Sequence, residues 1–274
     1  MRVWFITGAS RGFGALVAQR ALDGGDAVVA TARNPKAIVD RIGAHPDLLA
    51  LALDVTRESE AVAAAQAAID RFGRIDVLLN NAGFGLMGAV EETSQEEIEA
   101  VFRTNVFGLL AVTRAILPHM RKARSGRILN ISSIGGYRGS AGFGVYGATK
   151  FAVEALSEAM RAELEPLGIH VTAIEPGYFR TDFMDASSLK VSRIVIPDYS
   201  ATAGRVRANA GTVNGAQPGD PDKLARVLVD FAGEPDPPVR LPLGADTVAA
   251  IEAKHASDAA IIARWREVAL STGF

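Results

Sequence analysis

Tyr146 and Lys150 stand four residues apart in a stretch that reads as helix, Tyr146–Leu167, so their side chains share one face. The chemistry such a pair can do is proton transfer. A phenol with a pKa near ~10 is a poor base at neutral pH, and a neighbouring ammonium favours the phenolate. A tyrosine tuned in this way can take a proton from an alcohol or give one to a carbonyl oxygen. By itself the pair means little, because Tyr and Lys at this spacing are common on helices.

A second constellation is Thr7-Gly8-Ala9-Ser10-Arg11-Gly12-Phe13-Gly14, between the apolar run Arg2–Ile6 and the helical stretch Ala15–Leu22. Glycines let the backbone turn tightly and approach a pyrophosphate. Free N–H groups at the helix start then face the phosphate oxygens. The spacing is Gly-xxx-Gly-x-Gly rather than the Gly-x-Gly-xx-Gly of the general dinucleotide fold, and a purely structural turn is the competing reading.

Other chemistries are bounded by composition. The chain has no cysteine, which excludes disulfides, thiol nucleophiles and thiolate metal sites. Its histidines, at 45, 119, 170 and 255, show no metal-ligand spacing, so no metal is expected. Net charge is −2, without the basic excess that nucleic acid or an anionic membrane would call for. No apolar stretch reads as a membrane span, and the first residues read as a strand rather than a signal peptide. A cytoplasmic protein is the expectation. Asn130-Ile131-Ser132 matches a glycosylation sequon but falls in an expected buried strand.

The elements that must position these groups alternate along the chain. Apolar strands are expected at Arg2–Ile6, Ala27–Thr31, Leu48–Leu53, Ile75–Leu79, Arg127–Ile131 and Ile169–Ile174, with a last one near Val239–Leu241. Between them lie helices: one capped by Thr56 and ended by Gly73, one opened by the capping box Ser94-Gln95-Glu96-Glu97 and reaching about Lys122, then Tyr146–Leu167. Pro118 should bend or break the second of these. Helices are also expected at Asp222–Phe231 and about Ala245–Leu270. This alternation implies an α/β, doubly wound, mostly parallel seven-stranded sheet with helices on both faces, in a single Rossmann-type domain over residues 1–274. Its ligand belongs at the carboxyl ends of the strands. Residues 178–219 are polar and irregular, and read as a substrate lid or loop.

Together the motifs resemble the short-chain dehydrogenase/reductase family. Thr7–Gly14 looks like its cofactor turn and Asn80-Asn81-Ala82-Gly83 like its second signature. Tyr146-Gly147-Ala148-Thr149-Lys150 matches its active-site motif, and Pro176-Gly177 its fourth. The resemblance runs from residue 2 to about 182 and implies hydride transfer between a nicotinamide and a small-molecule carbonyl or alcohol. It also implies a catalytic set of four. Tyr146 transfers the proton. Lys150 lowers its pKa and binds the ribose. Ser133, thirteen residues before Tyr146, orients the substrate oxygen. Asn105 holds a water that links the lysine to solvent. Ser132 competes with Ser133 but should face the other side of the strand, and Asn105 could also be a plain mid-helix asparagine.

For the cofactor, the resemblance assigns Gly8, Ser10, Arg11, Gly12, Phe13 and Gly14 to the phosphates. Asp54 and Val55 fall to the adenine, with a simple cap as the alternative for Asp54. Asn81, Ala82 and Gly83 lie beside the adenosine ribose, Pro176, Gly177 and Phe179 also fall to the cofactor, and Thr181 to its carboxamide or phosphates. Where members that prefer NAD carry an acid, this chain has Ala32, followed by Arg33. With Arg11, Arg33 could clamp a 2′-phosphate, so NADP(H) is the expected cofactor; two solvated arginines are the alternative. Substrate contacts are expected from Ser133, Tyr146, Gly135, Phe143 and Tyr178, with Phe84–Met87, Gly136, Phe183 and Met184 nearby. The apolar residues among these suit a hydrophobic small molecule, or equally core packing. A homodimer or homotetramer through the long helices is implied. The rival reading is a catalytically silent NADP(H)-binding regulatory protein; an epimerase or dehydratase would need a separate substrate domain, which the sequence does not show.

Overall fold

The computed structural model describes residues 1–273. Seven strands form one sheet: β1 (Val3–Thr7), β2 (Ala27–Ala32), β3 (Leu48–Ala52), β4 (Val77–Asn80), β6 (Gly126–Ile131), β7 (Ile169–Pro176) and β9 (Arg240–Leu243). Their spatial order is β3-β2-β1-β4-β6-β7-β9, and every pairing is parallel. The chain winds outward from β1 to β3 and returns to place β4 on the other side of β1. The carboxyl ends of β1 and β4 therefore flank the switch point, where a doubly wound sheet opens its crevice.

Alternation within the strands builds a core on each face. Val3 and Phe5 of β1 point into the layer formed by α3 (Glu58–Phe72), α5 (Leu109–Ala123) and α6 (Gly144–Leu164). Trp4 and Ile6 point into the layer of α1 (Gly12–Asp23) and α8 (Pro221–Phe231). On α3 the buried stripe is Ala61, Ala64, Ala65 and Ala68, small residues at helical spacing that let the helix lie close to the sheet. Each fully buried Val, Leu, Ile or Phe contributes about 1.5–3 kcal/mol, so these two cores rather than helix propensity hold the layers together.

Several local expectations are corrected. A short helix α2 (Lys36–Ile42) follows β2. Thr56 does not cap α3: Asp54 accepts its N–H (3.0 Å) and hydroxyl (2.7 Å), and the helix begins after Arg57, which makes no side-chain cap. The box at Ser94 does form, with Glu97 N–H donating to Ser94 Oγ and Ser94 N–H to Glu97 Oε2. The helix it opens is interrupted by a π-turn, so α4 (Gln95–Phe102) passes through Arg103–Gly108 into α5. Pro118 does not break α5, which runs on to Ala123. Pro118 is exposed, so the carbonyl it leaves unbonded faces solvent while buried Ile116 and Met120 hold the helix down. By length and composition the 29-residue helix Gln95–Ala123 could cross a membrane, contrary to the sequence reading, but 50% of its most apolar window is buried inside the protein.

Residues 178–219 are not irregular. They fold into an excursion in which β8 (Leu189–Val191) pairs in parallel with β5 (Gly85–Met87), and a π-turn at Ser200–Gly204 leads into α7 (Arg205–Val213). A bridge between Phe179 and Gly219 closes the excursion at its base. Glu92, fully buried, anchors it: the carboxylate accepts the N–H groups of Ala89 (2.8 Å) and Ile196 (3.0 Å) and pairs with Arg207. The last helix, α9 (Ala245–Leu270), buries only Thr247 among the described residues.

Candidate active site

The carboxyl edge of the sheet opens into a cleft of about 670 Å³. At its centre, β1 ends in Thr7, whose hydroxyl accepts the N–H groups of Asn81 and Ala82, both at 3.0 Å. Asn81 Nδ2 in turn donates to the carbonyls of Thr7 (2.9 Å) and Gly8 (3.1 Å). The glycine turn is thus stitched to the end of β4. Gly8 and Gly12 hold φ of +67° and +55°, the left-handed region that favours glycine. A side chain at Gly14 would sit 2.6 Å from both Asn81 Nδ2 and the Gly8 carbonyl, so Gly14 serves close packing under the turn and does not line the cleft. The N–H groups of the first turn of α1 have no side-chain cap, which leaves them for an anion.

Ser10, Arg11, Phe13, Arg33, Asp54, Val55, Asn81, Ala82, Gly83, Pro176, Gly177, Phe179 and Thr181 all line this cleft, together with Gly8 and Gly12. Thr181 stands over Gly12, about 4.0 Å from where a side chain there would begin. Phe179 packs edge-on against Phe13, with ring centroids 5.6 Å apart. Asp54 also closes a turn onto Thr56 rather than capping α3. Burial pushes its carboxyl up, but the two bonds from Thr56, with Arg57 and Arg33 nearby, outweigh this and hold it below the usual range. Arg11 and Arg33 do not form a ready clamp: Arg11 donates to the Ser187 carbonyl across the cleft at 3.0 Å, while Arg33 stays exposed beside buried Ala32. These residues fit a dinucleotide: a glycine cradle with left-handed turns, an uncapped helix start, and a cleft in the size range of cofactor sites.

Further along the cleft lie Tyr146, Lys150 and Ser133, contributed by α6 and the end of β6. Tyr146 is buried between Phe143 (6.2 Å) and Phe183 (5.7 Å), measured between ring centroids. Lys150 Nζ is 5.7 Å from the centre of the Tyr146 ring and donates to the Ile131 carbonyl at 2.7 Å. Burial pushes the Tyr146 phenol well above its ordinary value, with the Ser133 hydroxyl pulling the other way. Burial likewise pushes the Lys150 ammonium down to about 8, partly offset by Glu154. Both shifts arise chiefly because the groups lose hydration.

The structure also separates the two serines. Ser133 Oγ accepts the Gly135 N–H at 3.1 Å and faces Tyr146. Ser132 is 2% exposed, and its Oγ, packed under Gly136, has no hydrogen-bond partner among the described residues. Asn105 sits in the π-turn, outside the cleft lining. Its amide is committed to Phe84, accepting from N–H at 3.0 Å and donating to C=O at 2.9 Å, and donates to Thr149 Oγ1 at 3.2 Å. It braces the wall that carries Phe84 against α6.

Gly135, Phe143, Tyr178, Phe183 and Met184 line the same cleft, with Tyr178 48% exposed. Of Phe84–Met87 only Phe84 does; Leu86 and Met87 are buried in β5, and Gly136 faces the backbone of Lys150. Residues missed by the sequence reading include Arg138 and Asp246. Asp246 opens α9 and accepts the Tyr178 N–H at 2.7 Å; a side chain on Gly177 would strike its carboxylate. No local pattern near Asp246 signals that role, because its partner lies 68 residues earlier.

Comparison with known proteins places this geometry. Residues 2–191 match the family model described as short chain dehydrogenase. The chain is 36% identical to "Oxidoreductase BOA17" of Botryotinia fuckeliana, over 99% of each sequence. It is 37% identical to the 3-ketodihydrosphingosine reductase of Bacteroides thetaiotaomicron, over 89% of this chain and 88% of that one. Among solved structures it is similar to a short-chain dehydrogenase from Streptomyces avermitilis, with 39% identity, a TM-score of 0.92 and 100% of both chains covered. A serine dehydrogenase complexed with NADP+ matches at 28% identity and a TM-score of 0.74, covering 88% of this chain and 94% of that one. The 3-ketoacyl-(acyl-carrier-protein) reductase of Brucella melitensis, complexed with NADH, matches at 27% identity and 0.72, covering 88% and 96%. Structural neighbours therefore bind nicotinamide dinucleotides of both kinds.

Proposed function

The chain belongs to the short-chain dehydrogenase family, and from that premise we propose that it is an NADP(H)-dependent oxidoreductase that reduces the carbonyl of a hydrophobic small molecule. The observation that carries this reading is the convergence of Ser133, Tyr146 and Lys150 with the glycine cradle in one cleft. The cradle would hold the pyrophosphate, and Lys150 would meet the nicotinamide ribose. When bound, the cofactor supplies the hydride.

The protein's own part is proton delivery and orientation. Ser133 holds the substrate oxygen beside the Tyr146 hydroxyl. Burial keeps that phenol protonated, which suits donation to an oxygen acquiring alkoxide character, since an alkoxide is a stronger base than a phenolate. The aromatic wall of Phe143 and Phe183 excludes water from the reacting atoms and favours an apolar substrate. That the Bacteroides relative is a 3-ketodihydrosphingosine reductase supports this choice of substrate class.

The choice of NADP(H) rests on Ala32, where a carboxylate would repel a 2′-phosphate, and on the exposed guanidinium of Arg33. The test is a panel of apolar ketones with each cofactor. Stoichiometric NADPH consumption is expected, with kcat/KM at least about tenfold above that with NADH. Arg33→Ala should reduce the NADPH value by about tenfold and leave the NADH value in place. Better use of NADH, or indifference to Arg33→Ala, would overturn the cofactor assignment.

A further inference from the structure

Tyr146 and Lys150 continue along α6 into a third group at the same spacing. Glu154 lies one turn beyond Lys150, and its side chain is almost fully buried, at 3% exposure. Facing it from β7 is Glu175, at 1%. Two carboxyl groups in an apolar interior repel unless a cation or a proton intervenes. A cation is present: Arg240 of β9 places Nε 3.1 Å from Glu154 Oε2 and 3.5 Å from Glu175 Oε1. The same guanidinium also serves Glu158, with Nη2 2.9 Å from Glu158 Oε1. One positive charge shared among three carboxylates leaves the buried two under-compensated.

The remaining oxygens tell the same story. Glu154 Oε1 and Glu175 Oε1 make no hydrogen bond among the described residues, although Arg240 stands within ion-pair distance of the second. A proton on one, bonded to the other, satisfies both. The carboxyl of Glu175 is accordingly pushed up to about 7 by burial and by the adjacent Glu154, with Arg240 opposing. The neighbours are few. Ser132 Oγ, also without a partner, packs with Glu154 beneath Gly136. Tyr137 stacks under Arg240 at 5.2 Å and bonds His255 of α9. Lys150 is the other cation on this side, and Glu154 acts to keep it charged.

We infer that Glu154 and Glu175 form a proton-sharing acid pair, one helical turn from Lys150 on the same face of α6, that helps hold the charge of Lys150, making Glu154 a positioning residue for the active site. With one proton in the pair, Lys150 faces one carboxylate. When the pair loses that proton, the added negative charge holds the ammonium more firmly. The pair thereby makes the charge of Lys150 resist rising pH. This rests on Lys150 belonging to the proposed site, but its test needs no turnover.

The test follows Lys150 by NMR in the cofactor-free protein with 13Cε-labelled lysine, its signal assigned by loss in Lys150→Arg. In the wild type a midpoint near 8 is expected, preceded by an inflection near 7 as Glu175 ionises. Glu154→Gln should move the midpoint down by on the order of one pH unit. Glu175→Gln should remove the inflection. An unchanged midpoint in folded Glu154→Gln protein, or an inflection that survives Glu175→Gln, would overturn the inference. Should Glu154→Gln not fold, the inflection in Glu175→Gln alone decides it. An inactive protein with the expected titration would sink the proposed function and leave the acid pair standing.

Discussion

Tyr146 is held by opposing forces: burial against two aromatic rings disfavours its anion, and one hydroxyl from Ser133 favours it. That makes Ser133 the residue whose removal is most informative after the tyrosine itself. Ser133→Ala should lower kcat by about 10²–10³-fold, the cost of losing one donor at a developing oxyanion. Ser132→Ala should change it less than about threefold, because that hydroxyl is buried away from Tyr146. Steady-state kinetics of the two variants side by side checks the assignment; the reverse order would reassign the orienting serine. At this scale the sequence disclosed the identity of the groups but not their electrostatics. Helical spacing puts Tyr146 and Lys150 on one face, but their roles and that of Ser133 come from the family resemblance, with strand alternation only turning Ser132 away. Where Lys150 points and what buries Tyr146 do not follow from the sequence, because they depend on the Ile131 carbonyl and on Phe183, 33 residues beyond Lys150.

Among the elements, the excursion between Tyr178 and Gly219 brings Phe179, Thr181, Phe183 and Met184 to the cleft. It is held less by apolar packing than by Glu92, whose carboxylate gathers two backbone N–H groups and Arg207. Removing one member of a buried charged pair leaves the other uncompensated. Glu92→Gln should lower Tm by on the order of 10 °C and raise KM for the substrate more than it lowers kcat. Calorimetry with kinetics tests this, and an unchanged Tm would show that the excursion is anchored elsewhere. Its order was illegible from sequence because β8 is only three residues long and finds its partner β5 about a hundred residues earlier. Polar composition gave no hint of pairing that distant. The π-turn at Asn105 was hidden for a related reason: the side-chain bonds to Phe84 and Thr149 that accompany it are tertiary. The capping box at Ser94, by contrast, is wholly local and was readable.

For the whole molecule, the winding of the sheet explains why chemistry gathers at one edge. The outward run from β1 to β3 and the return to β4 place Gly8 and Asn81 side by side, and each later parallel strand delivers its carboxyl end to the same rim. Short apolar runs alternating with helices made that architecture legible, since a parallel sheet covered on both faces has few other solutions. Less legible was the closing of the rim by α9 through Asp246, whose partner is a backbone N–H supplied by another part of the chain. The proposed function requires this rim to deliver a proton from Tyr146 to the oxygen of a carbonyl being reduced. Single-turnover reduction of an apolar ketone by NADPH-loaded protein, wild type against Tyr146→Phe, tests it most directly. NADPH binding should be unchanged, while the rate of NADPH oxidation falls by at least about 10³-fold. A Tyr146→Phe protein that oxidises NADPH at a rate near the wild type would contradict the claim.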